Sequence, residues 1–384
     1  MGLTASLDIG SEKMVMAVAA EENGSCRLKG IKMIALQGVE NGMITDKSKV
    51  KSYVRYLMKE LAKDKPIDRI RVALPVQGFT ISEHKVNVLL QRHSVKMGDI
   101  NRAEAKCAEL FAAKGGEIVD LIPIAYAVDR GNSVTNPIGM SGRSLDVRYR
   151  VYRTDADYLK EWRDLIAECG IEEVDFFPAV RAYMEALEVY DSEKRFALVD
   201  MGAAHTGVML FNDGMLEHEA ILPLGTCTIE SDIMQAFRID ELQKAKKMKH
   251  SHGEALKMAC KNEKIEIPDA RKQIEKRDLV KVIQCRLEEL MEGAVYQMQQ
   301  WRFNETSKEV LLTGGGSRIR GSELLLEKLS GHKVERAKAK GVMAGDDILE
   351  APACLVALGL LLCEHVEPEE EEGGIGKWFM NIFK

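Results

Sequence analysis

The segment LTASLDIGSEKMVMAVAA, residues 3–20, contains the pattern on which the whole chain is built. An apolar run ends in Asp8, a tight turn carries Gly10 and Ser11, and a second apolar run follows. Apolar runs separated by turn residues predict two antiparallel strands. With CRLKGIKMIAL after the turn signal ENGS, the first 35 residues predict a three-stranded meander.

A helix and a fourth strand are predicted after this meander. Asp46 is a suitable helix N-cap, and apolar residues recur at helical spacing after it. These residues are Val50, Val54, Leu57, Met58 and Leu61. The segment DRIRVALP then predicts a strand, which gives the order strand, strand, strand, helix, strand.

The same arrangement returns at residues 194–223. Three strands are predicted, over RFALVDMG, HTGVMLF and MLEHEAILPL, with Asp200 leaving the first and Thr206 on the turn. Further on, VLLT at residues 310–313 predicts a short buried strand that opens into GGGSRIRG and a helix. Two halves that begin alike indicate a tandem of related α/β domains.

Two insertions interrupt the repeat. Residues 81–160 predict a compact α+β insertion with the helix DINRAEAKCAELFAAK, the strands EIVDLIPIAYAV and SLDVRYRVYRT, and a helix from Asp155 onward. Residues 226–304 predict a charged, mostly helical insertion that ends in the amphipathic segment DLVKVIQCRLEELMEGAVYQMQQW. The apolar run 348–363 contains Glu350 and Pro352 and is too short to span a bilayer, so it predicts a core helix.

The predicted domain boundaries follow from these patterns. The first half comprises 1–80 and 161–194, and the second half comprises 195–225 and 305–366, with the alternative that the last helix of this range returns to the first half. An acidic linker at 367–374 precedes a terminal segment at 375–384.

The composition limits the function. Charged residues make up 30% of the chain and hydrophobic residues 46%, with a net charge of −6, which is typical of a folded soluble protein. Without a basic block, nucleic acid is not an expected partner. The eight cysteines lack CxxC pairs and metal-ligand spacing, and the N-terminus lacks a signal-peptide pattern, so we expect a reducing cytoplasm.

Two turns have residues suited to phosphate and magnesium. In DIGSEK, residues 8–13, a carboxylate ends a strand and a turn follows whose amides can face phosphate oxygens while Asp8 holds hydrated Mg²⁺. An ordinary β-turn explains this segment better when it is taken alone. DMGAAHTGV, residues 200–208, repeats the arrangement, and the pair is far more specific than either turn. His205 is expected to be an exposed turn residue without a chemical role.

A third segment, TGGGSRIRG at residues 313–321, follows a strand and leads into a helix. Its glycines permit close approach of the backbone to a ligand, and a helix N-terminus attracts anions. The segment matches neither GxGxxG nor GxxxxGK[ST], and a strand-to-helix turn without a ligand stays an alternative.

In this order, the three segments resemble the two phosphate motifs and the adenosine motif of the actin/Hsp70/sugar-kinase ATPase superfamily. Within it, the chain is similar to the bacterial FtsA cell-division family over nearly its whole length. The matching segments are LDIGSEK, VENGMITD, IPIAYAVD, NPIGMSGRSLDVRYRVYRT, LVDMGAAHTGVMLFNDG and VLLTGGGSRIRG. In that family, PIGMSG belongs to a small inserted subdomain that takes the place of a standard actin subdomain.

The resemblance implies an α/β, actin-like (ribonuclease H-like) fold with duplicated domains, an inserted α+β subdomain called 1C and a helical insertion called 2B. It also implies ATP and Mg²⁺ held between the two halves. The implied nucleotide-binding residues are Asp8, Gly10, Ser11, Lys13, Gly202, Thr206, Lys247, Lys249, Gly314, Gly315, Gly316 and Ser317. The implied Mg²⁺ residues, acting through water, are Asp8 and Asp200.

The chain departs from the family pattern at two places. Where relatives usually have DIGGGTTD, it has DMGAAHTG, and where they have a glutamate beside the adenosine lysines it has Lys246. Alanine tolerates positive φ poorly and its methyl group crowds a phosphate, so Ala203 and Ala204 are expected to hinder the turn. No residue is identified that positions an attacking water, so hydrolysis is expected to be weak or absent.

The terminal segment GGIGKWFMNIFK predicts an amphipathic helix. Its apolar residues recur at i, i+3, i+4, i+7 and i+8, opposite lysine and asparagine, which is typical of an interfacial membrane helix. These residues are Ile375, Trp378, Phe379, Ile382 and Phe383. A helix docked on the protein's own core is the alternative, but the acidic and Gly-Gly linker before it favours detachment. Relatives also end in a membrane-targeting helix.

The resemblance therefore implies an ATP-binding, self-assembling adaptor at the cytoplasmic face of the membrane at the division site. Its implied partners are the C-terminal tail of FtsZ, further copies of itself, later division proteins and the anionic membrane surface. The alternatives are an actin-like pilus-assembly ATPase, a small-molecule kinase or a chaperone-like ATPase of the same superfamily.

Overall fold

The computed structural model of the protein describes residues 2–364, apart from residues 23, 41, 64, 113–115, 193, 269–271 and 304–308. The strands are β1 (Leu3–Ile9), β2 (Lys13–Glu22), β3 (Ser25–Ala35), β4 (Val39–Glu40), β5 (Met43–Ile44), β6 (Ile67–Ala73), β7 (Thr80–Leu89), β8 (Glu117–Val128), β9 (Ser144–Thr154), β10 (Glu173–Phe177), β11 (Phe196–Met201), β12 (Thr206–Asn212), β13 (Met215–Leu222), β14 (Lys264–Glu266), β15 (Gln273–Glu275), β16 (Glu309–Thr313), β17 (Lys333–Arg336) and β18 (Val342–Met343). The helices are α1 (Lys47–Ala62), α2 (Met97–Ala112), α3 (Ala156–Ala167), α4 (Ala179–Ala186), α5 (Thr228–Phe237), α6 (Leu242–His252), α7 (Lys276–Gln300), α8 (Ser322–Ser330), α9 (Asp346–Leu349) and α10 (Leu355–Leu360).

These elements form two compact units. Within the described residues, the first contains residues 2–194, 212–217 and 338–364, and the second contains Arg195–Phe211 and His218–Ala337. The predicted domain boundaries stay predictions.

The first unit is built on a mixed sheet in the order β10-β6-β1-β2-β3-β18. Strands β1, β2 and β3 form an antiparallel meander, and β6 and β10 continue the sheet in parallel with β1. The predicted order of strand, strand, strand, helix, strand is confirmed.

Both faces of this sheet are covered. Along β2, Met14 and Met16 lie in the core that includes residues of α1 and α3, whereas Val15 and Ala17 pack with Ala357 of α10. Because neighbouring residues of a strand point to opposite faces, a strand covered on both sides is apolar throughout. This explains why β2 has an unbroken apolar run from Met14 to Ala20.

Helix α1 begins where the sequence predicts. The Asp46 carboxylate accepts a hydrogen bond from the Lys49 amide at 3.0 Å, and Val50, Val54 and Leu57 are fully buried. An N-cap and a spacing of three to four residues depend only on nearby residues, so both are visible in the sequence.

The run 348–363 lies largely in the core from Pro352 onward, but the predicted single helix is wrong. Helix α9 ends at Leu349, a 3₁₀ turn covers Pro352–Cys354, and only Leu355–Leu360 is α-helical in α10. Proline lacks an amide hydrogen and disfavours helical backbone at the residue before it, so the helix restarts after Pro352.

The first predicted insertion, residues 81–160, contains an antiparallel sheet in the order β7-β9-β8, whose apolar residues form a core with those of α2. The predicted helix and both predicted strands are confirmed as α2, β8 and β9. Strand β7 was not predicted. It lies at the sheet edge, and its largely exposed residues leave little apolar alternation to recognise.

The second unit has a sheet in the order β13-β12-β11-β16-β17. Strand for strand, this order matches β3-β2-β1-β6-β10 of the first unit, so that β11 corresponds to β1. In both units this central strand pairs antiparallel with the next strand in the chain, and parallel with its other neighbour. The predicted tandem of related domains is confirmed. Helices α5, α6, α7 and α8 contribute residues to its core, and α7 contains the predicted long amphipathic segment.

Candidate functional site

The first candidate turn joins β1 to β2. The Gly10 amide donates to the Lys13 carbonyl oxygen at 3.0 Å and closes a four-residue turn on which Ser11 is half-buried. The Asp8 side chain is largely buried, and the Lys13 ammonium lies 3.5 Å from its carboxylate and donates to the Ala353 carbonyl oxygen. Burial raises the pKa of Asp8, and the charge and hydrogen bond of Lys13 oppose that rise. The Lys13 ammonium is therefore the group that supports the ionised form of this carboxylate.

The second candidate turn joins β11 to β12 and repeats this geometry. The Gly202 amide donates to the His205 carbonyl oxygen at 2.9 Å, in the position equivalent to the Gly10 and Lys13 bond. Thr206 is buried, and its hydroxyl donates to the Leu224 carbonyl oxygen at 2.9 Å. That hydroxyl therefore supports the fold, although Thr206 was predicted to bind nucleotide.

The amides of this second turn are suited to an anion. Within the described residues, the amides of Ala203, Ala204 and His205 donate to no backbone acceptor. Successive amides of this kind form the concave donors that bind phosphate. None of the three residues has a positive φ, so the expected conformational penalty at Ala203 and Ala204 is wrong, whereas the crowding of a phosphate by their methyl groups stays a prediction. His205 is half-buried, which corrects the expected exposure, and burial lowers its pKa.

The segment 225–227 lies directly against this turn. The Thr226 amide and hydroxyl both donate to the Gly202 carbonyl oxygen, at 3.0 and 3.1 Å, and the Cys227 amide donates to the Ala203 carbonyl oxygen at 2.9 Å. A Cβ atom at Gly225 would lie 2.3 Å from the Ala203 oxygen, so only glycine fits. Sequence reasoning missed this segment, and its one signal is the glycine that follows the Pro-Leu pair after β13.

The glycine-rich loop lies beside the second turn. Gly314 has φ of 86°, and a Cβ atom there would lie 2.2 Å from the Asp200 carboxylate and 2.6 Å from the Met201 carbonyl oxygen. Around Gly315, by contrast, a Cβ atom would meet no described atom within 4 Å, so this part of the loop has open space. The Ser317 hydroxyl is buried and donates to the Gly314 carbonyl oxygen at 2.7 Å, so it stabilises the loop itself.

The predicted helix N-terminus at these glycines is wrong. A 3₁₀ turn, Gly315–Arg318, follows Gly314, and α8 begins only at Ser322. The macrodipole of a full helix acts only within its first turn, so it does not reach the glycines.

The lysines predicted to lie beside adenosine occupy different environments on α6. Lys247 is exposed, whereas Lys249 is buried, because residues two apart on a helix point about 200° apart. The Lys249 ammonium lies 2.5 Å from the Glu230 carboxylate and donates to the Thr226 carbonyl oxygen at 3.4 Å. Lys246, where relatives have glutamate, is half-buried.

The five predicted membrane residues, at positions 375–383, lie outside the described residues. Among the helices that are described, none is long and apolar enough to cross a bilayer. No cluster of three or more His, Cys, Asp or Glu side chains that could hold a metal occurs in the described ranges. A Mg²⁺ ion would therefore depend on single carboxylates completed by water and phosphate, which is the usual arrangement for this ion.

The repeated sheet order and the two matching Asp-x-Gly turns define an actin-like protein. The family model for cell division protein FtsA matches residues 197–359, and the model for the SHS2 domain inserted in FtsA matches residues 77–152. The chain belongs to the FtsA family of cell-division proteins.

Two curated FtsA proteins are similar to this chain over nearly its full length. Cell division protein FtsA of Neisseria meningitidis serogroup B is 24% identical, with 98% of this chain and 98% of that protein covered. The Escherichia coli K12 protein of the same name is 23% identical, with 99% and 96% covered.

Solved structures show the same fold. A type IV pilus biogenesis complex of PilM and PilN matches with a TM-score of 0.69 at 18% identity, covering 94% of this chain and 97% of that chain. MreB5 of Spiroplasma citri bound to ADP matches with a TM-score of 0.53 at 11% identity, covering 94% and 96%. The MamK double helical filament matches with a TM-score of 0.52 at 11% identity, covering 94% and 98%.

Proposed function

We propose that this FtsA-family protein binds ATP, assembles into filaments, and tethers the tubulin-like division protein FtsZ to the cytoplasmic face of the membrane at the division site. Recruitment of later division proteins is the remaining part of this proposed role. The observation that carries the nucleotide assignment is the second turn, where the amides of Ala203, Ala204 and His205 lack backbone acceptors in the described chain. MreB5, a protein of the same fold, binds ADP, and this supports the assignment.

The residues present fit ATP and Mg²⁺. The amides of the second turn supply donors for phosphate oxygens, and the open space around Gly315 leaves room beside the loop proposed to contact adenosine. Asp8 and Asp200 are proposed to hold Mg²⁺ through water. The cation would neutralise part of the phosphate charge and stabilise the ionised form of Asp8, whose pKa burial raises.

We propose that ATP is bound but hydrolysed slowly or not at all. Phosphoryl transfer to water requires a residue that orients the attacking water. The second turn has His205 and Gly207 where relatives have threonine and an acidic residue, and the His205 side chain is half-buried. The pilus-assembly, kinase and chaperone alternatives are not adopted, because both matched family models belong to FtsA.

The tether combines three proposed contacts. The C-terminal tail of FtsZ would dock on the helical insertion 226–304, and the insertion 81–160 would contribute to self-association and recruitment. The terminal segment 375–384 would lie in the membrane surface, while the acidic run before it keeps the body of the protein away from anionic lipid. The filament formed by MamK, which shares this fold, supports self-assembly.

Titration of the full chain with ATP and ADP in the presence of Mg²⁺, followed by a hydrolysis assay on the same sample, tests the nucleotide assignment. We expect binding of both, slow or absent turnover, and a loss of affinity of about tenfold or more in Asp200→Ala, since the carboxylate supports the cation. Asp240→Ala, which removes an exposed carboxylate of the same unit, is the matched control and is expected to bind like wild type.

Undetectable binding of both nucleotides would remove the assignment. Fast turnover that Asp200→Ala leaves unchanged would show that the nucleotide lies elsewhere.

A further inference from the structure

We infer that Thr226, Glu230 and Lys249 form a brace that fixes the amides of the second phosphate turn, so that Lys249 acts on the nucleotide through this turn and not by contact with adenosine. This inference rests on the proposed nucleotide-binding function and names the positioning residues within it. We call the three residues the Thr226–Glu230–Lys249 brace.

The anchor of the brace is a buried ion pair. The side chain of Lys249 is 8% exposed and that of Glu230 is 1% exposed, and the ammonium lies 2.5 Å from the carboxylate. A buried charge is stable only beside its partner, so this pair holds the Lys249 side chain in one place. From there, the same ammonium donates to the Thr226 carbonyl oxygen at 3.4 Å.

Thr226 transmits this anchoring to the turn. Its amide and hydroxyl converge on the Gly202 carbonyl oxygen, and the neighbouring Cys227 amide binds the Ala203 carbonyl oxygen. In a trans peptide, the carbonyl and the next amide point in opposite directions. Holding the carbonyls of Gly202 and Ala203 toward the brace therefore aims the amides of Ala203 and Ala204 away from it, as donors for a phosphate.

Thr226 also reaches the glycine-rich loop. A Cβ atom at Gly316 would lie 2.4 Å from the Thr226 methyl carbon, so the loop packs closely on the same residue. One side chain thus contacts the turn with its hydroxyl and the loop with its methyl group. The ammonium of Lys249, which is committed to Glu230 and Thr226, supports both indirectly.

The first test uses Thr226→Val, which removes the hydroxyl donor and keeps the branched shape. We expect affinity for ATP and ADP to fall about tenfold, because the hydrogen bond from the Thr226 hydroxyl to the Gly202 carbonyl oxygen no longer fixes the turn. Affinity for adenosine, which has no phosphate, is expected to stay unchanged. Thr226→Ser restores the donor and is expected to recover most of the loss. Thr154→Val is the matched control, because its hydroxyl donates to the Gly78 carbonyl oxygen at 2.5 Å, in the first unit and not at the turn.

The second test addresses Lys249. Lys249→Met alone leaves Glu230 buried without its partner, so the double variant Lys249→Met with Glu230→Gln is used to retain folding. We expect the double variant to lose about tenfold in ATP affinity and to bind adenosine like wild type. An equal loss for ATP and adenosine would show that Lys249 contacts adenosine and would overturn the inference.

Amide hydrogen exchange of the nucleotide-free full chain separates this inference from the proposed function. We expect residues 202–206 to exchange faster in Thr226→Val than in wild type, and Thr226→Ser to resemble wild type. Equal exchange in Thr226→Val and wild type would overturn the brace, whatever the chain binds. A wild-type chain that binds neither ATP nor ADP would instead overturn the proposed function and, with it, the role of the brace toward nucleotide.

Discussion

Glu104, on α2 of the insertion, is a residue whose charge depends on the fold. Burial raises its pKa to about 7, while the positive charge of Arg181 opposes the rise and the negative charge of Asp120 adds to it. The hydroxyls of Tyr126 and Tyr149, which lie in the core beneath α2, have no hydrogen-bond partner among the described residues. The interior of the insertion therefore favours the neutral form of this carboxyl group.

This environment predicts a pH-dependent stability. Between the ordinary pKa of 4.5 and about 7, the folded state binds more protons at Glu104 than the unfolded state, so wild-type stability falls as pH rises through that window. Burial also raises the pKa of Glu185 to about 7, which acts in the same direction. Glu104→Gln cannot ionise, so its stability lacks this dependence on pH. We expect the difference in unfolding free energy between Glu104→Gln and wild type to shift in favour of the variant by about 1 to 2 kcal/mol from low to high pH.

Urea unfolding of both proteins at about pH 5 and about pH 8 measures this gain. Glu109→Gln, on the exposed side of the same helix, is the control and is expected to differ from wild type equally at the two pH values. A difference between Glu104→Gln and wild type that is independent of pH would mean that the carboxyl group titrates normally.

Individual residues were predictable from sequence only where their partners are close in the chain. Asp46 was recognised as an N-cap because its partner, the Lys49 amide, is three residues away. Thr226 and Glu230 were missed because their partners, Gly202 and Lys249, are about twenty residues distant on other elements. The expected positive φ at Ala203 was wrong for a related reason, since the φ angles of a turn depend on the segment that packs against it.

At the scale of elements, a buried ion pair links β8 of the insertion to α4 of the first unit. Arg181 of α4 donates two hydrogen bonds to the Asp120 carboxylate of β8, at 2.8 and 2.7 Å, and a third to the Tyr190 hydroxyl at 2.5 Å. The side chains of Arg181 and Asp120 are 6% and 12% exposed. A paired guanidinium and carboxylate in this geometry fix the direction of β8 relative to α4.

This junction predicts a difference between single and double variants. We expect Arg181→Met to lower the unfolding free energy by about 3 kcal/mol or more, because it leaves the Asp120 carboxylate buried and unpaired. Arg181→Met combined with Asp120→Leu removes both charges and is expected to recover part of that loss. Urea unfolding measures both variants.

Arg27→Met is the control, because Arg27 pairs at 2.8 Å with Glu22 where both side chains are well exposed. Exposed pairs contribute about 1 kcal/mol or less, so this variant should be close to wild type. Similar losses in Arg181→Met and Arg27→Met would show that the buried junction does not hold the insertion.

Elements were predicted well where a strand or helix has a buried face. The repeated strand, turn and strand pattern was visible because β1, β2, β11 and β12 are largely buried. Edge strand β7 lacked that signal, and the break before α10 arises from one proline in an apolar run. Composition and periodicity report burial, whereas breaks and edges depend on single residues and on neighbours in space.

At the scale of the whole molecule, the membrane affinity of the proposed tether depends on how many copies are joined. A single amphipathic helix of about ten residues gives weak, reversible membrane binding. Linking copies through a filament makes the second contact intramolecular and raises the apparent affinity by about 10²-fold or more without any new contact. Membrane binding is therefore expected to depend on assembly even though the binding segment itself, residues 375–384, is unchanged.

Co-sedimentation with anionic vesicles, at protein concentrations below and above the onset of assembly, tests this dependence. We expect the full chain to bind steeply above that concentration, and a chain cut after Gly374 to stay unbound at both, because it lacks the apolar stripe. Below the onset, fusion of a parallel dimeric coiled coil to the full chain is expected to restore binding, whereas the same fusion carrying Trp378→Glu is not. Equal binding of the full and cut chains would refute the membrane role of the segment. Binding that rises in simple proportion to concentration, with no gain from the fusion, would show that one helix suffices and that the filament serves another purpose.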